Sequence, residues 1–207
     1  TKKEKIEPFL FDIFKILTKV FNNYSENFLL NFFEIFSLLT ENFEDAFKNQ
    51  ALIKELVEAI FKIWNENLED YLRNNNNIKN NKISETIEII ISLVKASKGK
   101  IHTNLLNNFL EGTLKILKNN YENFEIQKRD INILDKDLIT KCFDLLSSIY
   151  TNAPIFILNF EEKKIIVEYL CNYLKINENY LNHYAIALIG DIARIDKNIL
   201  EENIKFI

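Results

Sequence analysis

Only five residues of this 207-residue chain are glycine or proline: Gly99, Gly112, Gly190, Pro8 and Pro154. Average usage would supply about 25 in a chain of this length. A sandwich or barrel of short strands needs such residues, or Asn-Gly turns, about every 8 to 12 positions. The sequence therefore lacks the punctuation of an all-β fold and leaves room for long uninterrupted elements. Hydrophobic residues at 47% against 27% charged provide enough apolar surface to offset the entropy of ordering them.

The apolar residues recur at steps of three and four, the period of a helix with one buried face. From Ile6 to Phe21 the set is Phe9, Leu10, Ile13, Phe14, Ile16, Leu17, Val20 and Phe21, with Pro8 suited to a first turn. Ser25 with Asn27 is placed to cap a second helix ending near Asn42. A third runs from about Gln50 to Leu72, and a fourth opens at Ser84 and is stopped by Gly99. A fifth runs from His102 or Thr103 to Lys118, and Asp135 caps a sixth. The seventh starts after Pro154 or at Asn159 and reaches Leu174, the eighth takes Tyr180 to Ile195, and a ninth begins near Lys197. Two polar, weakly periodic stretches, 73–82 and 119–134, read as exposed loops.

Odd-numbered helices start near Ile6, Gln50, Ile101 and Pro154, so helix pairs repeat about every 40 to 50 residues, the spacing of HEAT and armadillo-type arrays. A closed bundle completes its core within about four helices. Eight comparable amphipathic helices fit stacking better, because in a solenoid each pair covers the next. The expected fold is all-α, a right-handed α-solenoid of about four HEAT-like helix pairs forming a single array over 1–207. There is no Met, and Asn203 to Ile207 lie inside an apolar pattern, so the chain is read as part of a longer protein.

Composition also bounds partners and chemistry. With 26 basic and 30 acidic residues the formal charge is −4, which draws no phosphate backbone, and the Phe-rich helices alternate with Glu and Asp where a single-strand binder would carry a basic groove. Nucleic acid is not expected as a partner. No apolar run approaches the 18 or so residues of a membrane span, and Glu7, Asp12, Lys15 and Lys19 interrupt what could have been a leader. An intracellular location is expected. Cys142 and Cys171 lack metal-knuckle spacing and read as buried thiols, and His102 and His183 have no i, i+4 ligand partner. No catalytic residue, metal site or cofactor is expected, and the chain is read as a non-enzyme.

One stretch carries a resemblance. Tyr180-Leu181-Asn182-His183-Tyr184-Ala185-Ile186-Ala187-Leu188-Ile189-Gly190-Asp191-Ile192-Ala193-Arg194 resembles the inner helix of a HEAT repeat, in particular the A-x-x-L-x-G-D-[LI]-x-[KR] helix of the importin-β and transportin branch of the β-karyopherins. Lys141 to Tyr150, the short turn Thr151 to Pro154 and the following helix are similar in order to the elements before it in such receptors. Small Ala185, Ala187, Gly190 and Ala193 would let neighbouring helices approach closely.

The resemblance implies a nuclear transport receptor whose inner helices face cargo, an importin-α-like adaptor or the small GTPase Ran. Its outer helices would hold Phe-Gly repeats of nucleoporins, and the protein would move between cytoplasm and nucleus, including the nuclear envelope. Other HEAT scaffolds, of phosphatase or chromosome-associated complexes, are the alternative class. Acidic residues on the proposed inner helices, Glu85, Glu88, Asp137, Asp144 and Asp191, are the candidate partner contacts, suited to basic localisation signals.

Overall fold

The computed structural model describes residues 2–22, 29–43, 46, 50–73, 81–98 and 100–203, and among them every regular element is helical. In chain order these are α1 (Lys2–Ile6), a 3-10 turn (Glu7–Phe9), α2 (Leu10–Asn22), α3 (Leu29–Asn42), α4 (Gln50–Arg73), α5 (Asn81–Ser97) and α6 (Thr103–Ile126). A 3-10 turn (Ile131–Ile133) follows, then α7 (Lys136–Asn152), α8 (Pro154–Leu158), α9 (Lys163–Leu174), α10 (Asn179–Ile195) and α11 (Lys197–Asn203). The described helices fall into two compact units, the first ending at His102 and the second beginning at Thr103.

In the first unit α2 lies against α4, α3 against α5, and α4 against α5. Leu10, Phe14 and Leu17 form the buried stripe of α2, and Phe36, Leu39 and Phe43 do the same in and after α3. Helix α4 buries Leu56, Ile60, Ile63 and Trp64, while α5 is apolar over most of its circumference, with Ile83, Ile87, Ile89, Ile90, Leu93 and Val94 all inside. A helix hydrophobic all round is one enclosed by neighbours. The polar exceptions are tied: buried Asn67 donates from Nδ2 to Thr86 Oγ1 at 2.9 Å, and that hydroxyl donates to the Lys82 carbonyl at 2.7 Å. Each bond gives a buried polar side chain a partner.

The second unit repeats the arrangement. Helix α6 pairs with α7 and α9 with α10, while α9 also touches α6 and α10 lies along α7. First members of successive pairs thus meet each other, as do second members, which is the stacking of a HEAT-like solenoid. Two cross-links show that α7 and α10 run parallel: Lys136 joins Glu178 near the start of both helices, and Ser147 joins Asp191 further along both. Between first members, the buried Tyr173 hydroxyl donates to the Leu117 carbonyl at 2.8 Å, and its ring meets Tyr121 and Phe143 edge-on. Each such ring pair adds roughly 0.5–1.5 kcal/mol to the area it buries.

Several boundaries differ from the sequence expectation. The stretch 119–134 is not a loop throughout, because α6 continues to Ile126. Its polar residues lie on the wet side, while Asn120 and Phe124 are buried, Asn120 by donating to the Ile116 carbonyl at 3.0 Å. Likewise Arg73, Asn81 and Lys82 are helical, so α5 starts a turn before Ser84, and the remainder of 73–82 lies outside the described residues. The single helix expected between Pro154 and Leu174 is two, α8 and α9, separated at Asn159–Glu162. The proposed caps Ser25 and Asn27, the stop Gly99 and the terminal Ile204–Ile207 also lie outside the described residues. Asp135 does cap α7, its carboxylate accepting from the Leu138 amide at 3.1 Å.

Candidate functional site

The α7–α10 pair presents the face on which three of the five candidate carboxylates sit. Helix α10 buries one narrow stripe, Leu181, Ala185, Leu188 and Ile192, spaced i, i+4, i+7 and i+11. Asn182, Tyr184, Ile189, Asp191 and Ile195 flank that stripe half-buried, and the remaining side faces outward. Tyr180, His183, Ile186, Ala187, Gly190, Ala193 and Arg194 are exposed, and Ile186 reaches 60%. The close approach expected of the small residues is therefore true of Ala185 alone. A Cβ added to Gly190 would meet nothing within 4 Å, so no neighbouring helix requires that glycine.

At the N-terminal end of the face, Lys136 Nζ of α7 lies 2.6 Å from Glu178 Oε2, and Glu178 also accepts from the Tyr180 amide at 3.4 Å as the cap of α10. The hydrogen bond from Lys136 holds the Glu178 carboxyl below its ordinary range, against a smaller opposing effect of desolvation. Beside it, the Tyr180 and Tyr184 rings meet edge-on at 5.3 Å, and His183 packs on Tyr184 at 5.9 Å. The Tyr184 phenol is raised above its usual value. Its hydrogen bond with Tyr180 is the main cause, followed by the charge of Tyr180, desolvation, and the carboxylates Asp144 and Asp137. Negative potential from α7 therefore reaches the aromatic group on α10.

Asp137 is exposed at the start of α7 and pairs with Lys141 at 3.4 Å, one turn on, and Asp144 is exposed on the same helix. Asp191 differs. Its side chain is 12% exposed, accepts the Ser147 hydroxyl and pairs with Arg194 Nη2 at 2.6 Å. It binds α7 to α10 and is occupied by that work. Glu85 and Glu88 stand on α5 of the first unit, both half-buried. The structure thus brings together Asp137, Asp144 and, in an internal role, Asp191, and leaves Glu85 and Glu88 elsewhere. Sequence reasoning missed Tyr180, His183 and Tyr184 as members of the face. Their signal was the i, i+3 and i+4 spacing of three ring-bearing residues at the start of a helix whose apolar stripe already had its residues.

Among the described residues no group of three His, Cys, Asp or Glu is placed to hold a metal ion, and no described helix is long and apolar enough to cross a membrane. Cys142 and Cys171 are buried free thiols. Burial, with Asp135 adding to it, pushes the Cys142 thiol far up, and burial likewise raises Cys171. Thiols kept protonated in this way are poor nucleophiles and metal ligands.

Helix pairs whose first members meet each other and whose second members, α7 and α10, run parallel define an all-α, HEAT-like solenoid. A family model described as CRM1 C terminal matches residues 32–160, more than half of the chain. The chain belongs to that family, and is thereby a karyopherin-type segment of the exportin group. The match ends before the Gly190–Asp191 helix, so it supports the karyopherin class independently of that helix, while it includes the Lys141–Pro154 stretch that the resemblance also used. No curated protein matches the chain.

Proposed function

We propose that this chain is a protein-binding segment of a nuclear transport receptor that carries cargo through nuclear pores under the control of Ran, and that it acts by binding without chemistry of its own. The observation that carries the reading is the CRM1 C-terminal match over residues 32–160, laid on helix pairs stacked in the manner of HEAT repeats. A receptor of this class has protein partners and moves between nucleus and cytoplasm. Phe-Gly segments of nucleoporins and an importin-α-like adaptor complete the partner set on the importin-β resemblance of the Gly190–Asp191 helix.

Within the segment, the α7–α10 face is the proposed contact for a basic partner, with Asp137 and Asp144 supplying charge and Tyr180 and Tyr184 supplying ring faces on which a guanidinium or ammonium can rest. Asp191 positions α10 and is not itself the contact. Glu85 and Glu88 on α5 are a second, separate contact of the same kind.

The test is a pull-down from nuclear and cytoplasmic extract with the full-length protein, probed for Ran-GTP, importin-α and Phe-Gly nucleoporin segments. Retention of Ran-GTP with at least one of the others is expected. Recovery of a stable phosphatase or chromosome-associated complex with none of the three would reject the transport reading. Reversing the charge of both Asp137 and Asp144 to Lys is expected to weaken capture of a basic partner about tenfold or more, leaving the helical circular-dichroism signal unchanged. An unaltered affinity would remove this face from the reading.

A further inference from the structure

We draw no further inference here: the strongest candidate, the exposed apolar stripe that runs from Phe9 along α2 through Ile16 and Val20 in the first unit, carries nothing because nothing in the structure shows what covers it.

Discussion

Tyr150 is 1% exposed, and its hydroxyl meets no hydrogen-bond partner. An unpaired buried hydroxyl costs about 1–3 kcal/mol, so Tyr150→Phe, which removes it and keeps the ring, is expected to hold stability at pH 7 or raise it by about 1 kcal/mol in urea denaturation. Burial first and Asp196 second push the phenol upward, as burial does for the Cys142 thiol. The sign follows from proton binding. Above about pH 8.5 for the thiol and about pH 10 for the phenol the unfolded chain releases protons that the folded chain keeps. Stability is full below those values and falls as pH rises through them. The urea midpoint is therefore expected to drop between pH 8 and pH 11, and less steeply in Tyr150→Phe. A flat profile would mean that both groups reach solvent. Ser147 offers the complementary case, a bond made between helices. Ser147→Ala strips Asp191 of its partner on α7 and is expected to cost about 1–2 kcal/mol with an unchanged m-value. The identity of that partner was not legible in the sequence, since the two residues stand 44 positions apart and only the parallel packing of α7 on α10 brings them together.

Among the elements, the turn after α6 holds the clearest local tension. Lys128 and Arg129 both take left-handed backbone angles, φ 59° and 66°, and the Arg129 amide donates to the Phe124 carbonyl at 2.9 Å to close the helix end. Such a conformation costs a residue bearing a Cβ about 1–2 kcal/mol, and glycine escapes that cost while losing about 0.5–1 kcal/mol of chain entropy. Lys128→Gly is accordingly expected to raise stability by less than about 1 kcal/mol, and Lys128→Val to lower it, both read from thermal unfolding. Helix existence was largely legible in the sequence because few Gly or Pro residues compete with the 3.6-residue period. Ends were less so. The run Asn123 to Asp130 looks like a loop by composition, yet Tyr121 and Phe124 secure its first residues, to Ile126, as helix by packing, Tyr121 on Tyr173 of a helix fifty residues on. Gly190 misled in the opposite direction. A mid-helix glycine reads as a close-packing device, and its open surroundings show that α10 tolerates the cost of about 1 kcal/mol without that return.

For the molecule as a whole, periodicity identified the apolar positions without dividing them between inside and outside. Leu10, Phe14 and Leu17 are buried on α2, whereas Ile16 is 60% exposed, although both sets follow three- and four-residue steps. A stacked array gives one helix several apolar sides, so the period alone cannot say which neighbour is present. The distinction is measurable. Ile16→Lys is expected to leave the unfolding free energy in urea within about 0.5 kcal/mol of the parent, whereas Leu17→Lys places an ammonium in the core and unfolds the first unit. Equal effects of the two changes would show that the first unit packs differently. The acidic candidates were legible in the same limited way. Charge and helix assignment selected them, and only the fold separated Asp137 and Asp144, which are exposed on α7, from Asp191, whose side chain is 12% exposed and bonded to Ser147 of α7.

The bond from the Tyr173 hydroxyl to the Leu117 carbonyl has an asymmetry that bears on how such an array can diverge. The acceptor is main chain and survives whatever side chain occupies position 117, provided the helix persists, while the donor exists only if 173 remains tyrosine. For the bond alone, inheritance is thus constrained at 173 and not at 117. Leu117 is nevertheless fully buried, so what holds that position is the packing of its own side chain, while position 173 is held by both packing and the bond.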